Sequence, residues 1–460
     1  MTVTSKLCDA ADWFHPDVQE IITDELRETP RFHRKQWEFA MIFLALREAG
    51  KLAPGKLGLS MGGGRELIAY ALAPHVQHLT ITDLYETNTS WACARTDDPD
   101  AFIKNNKPFP VDDAKLKAVR MDMRDLQFPD GTFDFCYSTC AVEHIGTRED
   151  FLKHFNEVAR VLKDDGLYVF TTEVSFDDTT VYDEHNYIFS LPFLYELFAE
   201  SNLVPEEIFD ARVAPHKINF PLPSTLSQLS SVGRRNFAQH FLQEAPHIHL
   251  LRGKHPFTCG LFLLKKKSAA HRNRQPVFRG LRDTQRFADA GVAEYRAMLE
   301  NTRVTINPFS LLPAEQSRFF ADHAEFLALS DTPPDTETIF HTDYFWFGTG
   351  PRVFEIAMRL KEGSPTTGRI EFRVHRFKTL ASNAVECVAS VVREVEQAGW
   401  LARTIELETD DDSCYAVLAK LRSGFCTFDR IEIKSNSSRL MPRPSPMPQQ
   451  SVLCHELLPV

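Results

Sequence analysis

The chain is short of several things, and each shortage removes a class of protein. Its 460 residues hold nine scattered cysteines, an odd number with no C-x-x-C spacing. That argues against a disulfide framework or a zinc ribbon and fits reduced thiols. The nearest pair, Cys136 and Cys140, lacks two further ligands in spacing, so no metal is expected. No apolar run approaches the ~18 residues of a membrane helix. The most apolar stretch, Phe39–Leu46, is flanked by charge and reads as a buried helix. Positive charge is outnumbered, with 52 Lys and Arg against 63 Asp and Glu and a net charge of −11. An acidic chain is a poor partner for nucleic acid or anionic membrane, because phosphate contacts need clustered Lys and Arg. Two short basic runs, Arg31–Lys35 and Lys265–Lys267, read as solvated element ends. The opening MTVTSKLCDAADWFH has no basic segment followed by an apolar one, so no secretory signal is expected and the location reads as cytoplasmic. There is no internal repeat.

What is present is ordinary for globular protein: 43% apolar and 25% charged residues. The length exceeds one hydrophobic core, so two domains are expected. Residues 34–50 read as a helix ending at Gly50. Leu57–Ser60 is a short strand stopped by Gly62-Gly63-Gly64, and Glu66–Ala73 is helical in pattern. His78–Thr82 is a strand ending on Asp83, and Phe133–Ser138 is another. Phe151–Leu162 is helical, with Asp164-Asp165-Gly166 as its stop and turn. Leu167–Thr172 is a strand, Leu191–Glu200 a helix and Thr258–Leu264 a last strand. Strands alternating with helices mean βαβ units and a parallel sheet. A Pro-, His- and Ser-rich stretch from about 205 to 255 reads as an insertion, with His240, His247, His249 and His255 taken as surface residues.

After about 268 the grammar changes. Residues 269–330 read as linker and helices. Beyond them Phe354, Ile356, Met358 and Leu360 alternate with Glu355, Ala357, Arg359 and Lys361. Ile370, Phe372 and Val374 alternate likewise, as do Ile431 and Ile433. Strands with one buried and one wet face predict an antiparallel β-sandwich over about 331–440. The Ser/Pro-rich tail, 441–460, reads as disordered.

The chemistry concentrates in the first half. A Gly-rich turn after a first strand lets backbone approach a nucleotide closely. Here it is LGLSMGGGRE, Leu57–Glu66. About twenty residues on, Asp83 can accept both ribose hydroxyls. These two features alone suit NAD or FAD equally. Met121–Ile145, MDMRDLQFPDGTFDFCYSTCAVEHI, resembles class I S-adenosylmethionine-dependent methyltransferases, especially the small-molecule group. Arg160–Glu173 resembles that family's helix, Gly turn and fifth strand, and CGLFLLKKK its final antiparallel strand. The resemblance spans about 34–267 and implies a Rossmann-like α/β fold with a seven-stranded sheet, preceded by an extension over 1–33.

The resemblance also implies a site. Ser60, Met61, Gly62, Gly63, Gly64, Glu66, Asp83, Leu84, Asp122, Met123 and Ser138 would hold S-adenosylmethionine. Asp122 would accept from the adenine amine and the Met123 amide would donate to the ring. The family pattern begins acidic-x-Gly-x-Gly-x-Gly, whereas Gly58 stands at the acidic position here and Ser60 at the first Gly. Ser60 fits only with negative φ, and Glu66, one turn into the next helix, is expected to replace the carboxylate. A hydroxyl acceptor needs a base, and His185 and His144 fall where the family's substrate faces the sulfonium. Tyr187, Trp37 and Glu38 are further pocket residues. The sandwich, ending FCTFDRIEIKS, looks like jelly-roll, carbohydrate-binding-like modules. The expected function is methyl transfer to a small molecule or a glycan. The alternative is a catalytically silent binding protein built on the same fold.

Overall fold

In the computed structural model the described residues are 3–89, 91–183, 186–223, 246–252, 254–268, 275–301, 303–306, 318–320, 325–329, 338–341, 347, 349–360, 367–378, 385–395, 399–410 and 413–436. The chain divides into two units, the first drawn from residues 1–219, 246–249 and 255–288, the second from the rest.

The strands of the first unit are β1 (Lys6–Leu7), β2 (Leu57–Met61), β3 (His78–Asp83), β4 (Leu116–Arg120), β5 (Phe133–Thr139) and β6 (Leu162–Ser175). Then come β7 (Val181–Asp183), β8 (Asn186–Ile188), β9 (Leu203–Pro205), β10 (Ile208–Asp210), β11 (His255–Lys266) and β12 (Val277–Arg279). The sheet runs β12-β10-β1-β11-β6-β5-β2-β3-β4. From β6 to β4 every pairing is parallel. Strand β11 runs antiparallel to β6 over nine residue pairs, Phe257↔Ser175 to Lys265↔Leu167. This is the α/β sheet with a final antiparallel strand that the sequence predicts, widened by short edge strands. Strand order reverses between β2 and β5, both of which start centrally and lead outward. A ligand crevice opens at the carboxyl ends of strands at such a switch point.

The α-helices among the described residues are α1 (Pro16–Glu20), α2 (Arg34–Glu48), α3 (Leu67–Leu72), α4 (Pro99–Asn105), α5 (Arg148–Val161), α6 (Leu191–Glu200) and α7 (Leu281–Asn301). The His33 ring caps α2 by accepting the Lys35 amide at 3.2 Å, and Gly50 ends it at φ +65. Phe151, Phe155 and Val158 sit at i, i+4 and i+7 of α5 and are fully buried. Leu167 and Val169 pack with α2 on one face of the sheet, while Tyr168 and Phe170 pack with α5 and α6 on the other. Strand periodicity thus feeds two cores. Phe170 stacks on Tyr168 at 5.0 Å and Phe262 at 5.1 Å, so truncating it to Ala removes about 3–5 kcal/mol.

Four details differ from the sequence reading. Residues before 34 are more than an extension, because Leu7 pairs with Gly260 inside the sheet and Trp13, Val18 and Ile22 join the core. Asp164-Asp165-Gly166 does not end the helix ahead of a new strand. It is looped out within β6, between the pairs Phe133↔Leu162 and Phe135↔Leu167. The helix expected within 269–330 spans Leu281–Asn301, but residues 277–279 before it are not linker: β12 pairs with β10, the Thr284 hydroxyl donates to the Ala211 carbonyl at 2.6 Å, and Leu281 and Ala288 are core residues. His247 and His249 are buried rather than surface residues, and the His249 ring meets the Cys8 carbonyl at 2.8 Å. His240 and the tail 441–460 lie outside the described residues.

The second unit is antiparallel throughout its long strands. Ser413–Asn436 pairs with Thr367–Lys378 through its first half and with Gly350–Leu360 through its second. One strand therefore serves two sets of partners. The inward side chains Phe354, Ile356, Met358, Ile370, Phe372, Val374, Val417 and Ala419 form one core, consistent with a β-sandwich.

Candidate active site

The turn after β2 needs its glycines. Gly62 and Gly64 have φ of +60 and +42. A Cβ on Gly62 would lie 2.5 Å from Ala141 Cβ, and one on Gly63 2.1 Å from Ser60 Oγ. The first contact joins this loop to the segment after β5, as the switch point requires. The second shows what Ser60 does: its φ stays negative and its buried side chain lies under the loop instead of lining it. Glu66 is the N-cap residue of α3, with extended φ −99 and ψ 146, and not one turn into that helix.

Asp83 braces the loop from the end of β3. One oxygen accepts the Gly64 amide at 2.9 Å and the other its neighbour Leu84's amide at 2.7 Å. Burial pushes the carboxyl up, and the two amides oppose that shift. Leu84 leaves an apolar side chain 50% exposed beside it. Tyr85, which sequence reasoning missed, takes φ +45 and donates its hydroxyl to the Gly64 carbonyl at 3.0 Å. A tyrosine two residues after the strand's Asp was the available signal. Met123 Sδ lies 3.9 Å from where a Gly62 Cβ would stand, so the β4–β5 loop faces the Gly turn. The Asp122 carboxylate is forked by Arg124, whose Nη2 is 2.6 Å away, and that pairing holds its pKa down. Met61 and Ser138 are buried at the ends of β2 and β5. Gly62, Gly63, Gly64, Asp83, Leu84 and Met123 thus meet at one turn, whereas Ser60, Met61 and Ser138 are buried and the Asp122 carboxylate is already taken by Arg124.

A second group of polar residues lies beside it, from the first turn of α2 and the ends of β5, β6 and β11. Arg34 Nη2 contacts Glu173 Oε1 at 2.5 Å, and Asn186 Nδ2 donates to the other oxygen at 2.8 Å. Lys35 Nζ donates to Glu38 Oε2 and to the Thr139 carbonyl, both at 3.1 Å, and stands 3.6 Å from Glu66. Thr139 donates to Glu66, and Thr171 to Glu38 at 2.8 Å. Burial pushes Glu66 up to about 7. Burial acts on Glu38 in the same sense, but Lys35 and Arg34 outweigh it and hold that carboxylate low. The run Arg31–Lys35 is thus only in part a solvated element end: Arg31 is exposed, whereas Arg34 and Lys35 pair buried carboxylates.

Of the expected bases, His144 is exposed and packs on Trp91 with ring centroids 5.1 Å apart. His185 lies outside the described residues. Tyr187 packs against Phe151 and Phe189. Trp37 is fully buried with its ring N–H donated to Asp12 at 2.7 Å, so it serves the core and not the crevice.

Residues 59–170 match the family model of a methyltransferase domain. Residues 59–170 form a methyltransferase domain, and its cofactor is S-adenosylmethionine. The match covers β2, the Gly turn, Asp83, Asp122 and β5–β6. No curated protein matches the sequence. Among solved structures, the YcgJ protein from Bacillus subtilis is similar at 18% identity over 50% of this chain and 98% of its own, with a TM-score of 0.32. A methyltransferase from Mesorhizobium loti aligns at 15% identity over 49% and 97%, TM-score 0.29. Phosphoethanolamine N-methyltransferase 2 from Haemonchus contortus, bound to S-adenosyl-L-methionine, aligns at 15% over 55% and 57%, TM-score 0.33. The crevice of the methyltransferase fits its cofactor. Side chains are absent where the loop backbone must come close, and Asp83 keeps lone pairs for ribose hydroxyls beside an exposed apolar Leu84.

Proposed function

We propose that the enzyme transfers the methyl group to a hydroxyl-bearing small molecule or glycan. The supporting observation is the polar cluster Arg34–Glu173–Asn186 beside the Gly turn, which offers charged and amide hydrogen-bonding groups where an apolar acceptor would meet none. The cofactor supplies an electrophilic methyl on a sulfonium. The chain's own residues position the acceptor and keep water out, which accounts for most of the rate in such a displacement. A hydroxyl loses its proton in the step, and His185 and His144 are the proposed bases. In this reading Ser60, Met61, the three glycines, Glu66, Asp83, Leu84, Asp122, Met123 and Ser138 hold the cofactor, some by supporting others. The C-terminal sandwich, proposed as the carbohydrate-binding-like domain, serves the acceptor. A cytoplasmic location is proposed from the free thiols of Cys8, Cys93, Cys136, Cys140, Cys259 and Cys387. No described helix is long and apolar enough to cross a membrane.

The test is incubation of the full chain with methyl-labelled cofactor and extracts fractionated into polysaccharides and small molecules. Label should enter a hydroxyl of one fraction, and His185→Ala or His144→Ala should slow it by about 10²–10⁴. Label found on protein, nucleic acid or an apolar lipid instead would refute the acceptor assignment.

A further inference from the structure

Three residues distant in sequence meet at the edge of the polar cluster. Cys140 follows β5, Cys259 lies in β11 and Glu38 in α2. Their Sγ, Sγ and carboxylate oxygen lie within 4.8 Å of one another. Cys140 Sγ is 3.3 Å from Cys259 Sγ, which is 3.2 Å from Glu38 Oε1. We propose that Cys140, Cys259 and Glu38 form a site for a zinc-class divalent cation, with a fourth position left for water or another oxygen or sulfur ligand.

Four observations support it. First, the donor set is the thiolate and carboxylate mixture that zinc takes, and three protein ligands leave one position open. Two sulfurs on a tetrahedral zinc, each at ~2.3 Å, stand roughly 3.8 Å apart. The present separation needs to widen by only a few tenths of an ångström. Second, Glu38 is already oriented. Lys35 and Thr171 hold Oε2, which leaves Oε1 turned to Cys259. Such supporting hydrogen bonds are how proteins aim a metal ligand. Third, charge balances. Two thiolates and a carboxylate on a divalent ion leave one negative charge, and the Lys35 ammonium stands beside it. Fourth, Cys140 takes φ +48, a conformation L residues avoid unless their surroundings impose it.

The obvious rival is a disulfide, and the sheet argues against it. The Cys140 amide bonds the Thr171 carbonyl of β6, and Cys259 pairs with Glu173 on the other side of β6. One strand therefore lies between the two cysteine backbones, while their side chains meet over it. Neighbouring strands stand roughly 4.8 Å apart, so these backbones are separated by nearly twice that. A disulfide takes Cα atoms about 4.4–6.8 Å apart. A shared ion bridges the longer span. Binding releases two protons, one from each Sγ, to solvent.

The full chain, grown with added zinc and purified without chelator, should carry about one zinc per chain by elemental analysis. Cys140→Ser and Cys259→Ser should each lower occupancy at least about tenfold. Cobalt added to zinc-free wild type should give a thiolate-to-cobalt charge-transfer band, a readout that needs no variant to fold. Zinc-free wild type with no cobalt band, undiminished zinc in the Ser variants, or a Cys140–Cys259 disulfide mapped by peptide mass spectrometry of the unreduced chain would each overturn the site. Calorimetry with S-adenosylmethionine on the same sample separates the two claims. Zinc without cofactor binding keeps the metal site and sinks the methyltransferase assignment; cofactor binding without zinc does the reverse.

Discussion

Arg34 and Glu173 lie 139 residues apart in sequence and meet at 2.5 Å, with side chains only 15% and 5% exposed. The pair ties the start of α2 to the end of β6, where acceptor chemistry is proposed. A buried pair broken on one side leaves an uncompensated charge. Arg34→Ala should therefore cost about 3–5 kcal/mol in chemical denaturation. Asn186→Ala, which strips one neutral donor from Glu173, should cost about 1–3 kcal/mol. In a double-mutant cycle, Arg34→Ala with Glu173→Ala should show strong coupling. Additivity within about 0.5 kcal/mol would disprove the contact.

Glu66 makes stability depend on pH. Its carboxyl titrates near 7 in the fold, pushed up by burial against the opposing pull of Lys35, compared with about 4.5 as an ordinary glutamate. The native state then binds more protons than the unfolded state between those values. Stability from this group is full below about 4.5 and is lost as pH rises through about 7. The loss should be on the order of 2–4 kcal/mol. Glu66→Gln should flatten the wild-type melting profile across that window. An unchanged slope in the variant would show that Glu66 does not carry the effect.

Gly63 and Ser60 share one space. Gly63→Ala would place a Cβ 2.1 Å from Ser60 Oγ and 3.1 Å from Ile81 Cγ2, and should cost about 1–3 kcal/mol. Adding Ser60→Ala removes the worse contact and should recover part of the melting temperature. Ser60→Gly should recover more, because Ser60 Cβ itself stands 3.1 Å away. Equal melting of the single and double variants would show that Ser60 does not fill that space.

The sheet was legible because each strand pairs a local pattern with a local stop: Leu57–Met61 before three glycines, His78–Thr82 before Asp83. The Gly turn and Asp83 were legible for the same reason, since each closes or follows a strand that the pattern shows; Asp122 was read only through the family resemblance of Met121–Ile145. Contacts between distant segments left no such mark. Arg34 and Lys35 read as part of a surface run because their carboxylate partners Glu173 and Glu66 lie far along the chain. His247 and His249 read as exposed because a Pro- and His-rich stretch has no periodicity to reveal burial. Strands β1 and β12 are two and three residues long, too short for any period to show. The positive φ of Tyr85 and Cys140 is set by tertiary surroundings that no residue type announces.

The most direct measurement is calorimetry of S-adenosylmethionine binding to the full chain and to Asp83→Ala. Wild type should bind with a Kd on the order of micromolar. The variant loses a group that braces Gly64 and is proposed to hold the ribose, worth about 1.5–3 kcal/mol, so its affinity should fall roughly ten- to a hundredfold while circular dichroism stays native. Wild-type chain that binds no cofactor, or a folded Asp83→Ala that binds it equally well, would contradict the crevice assigned here.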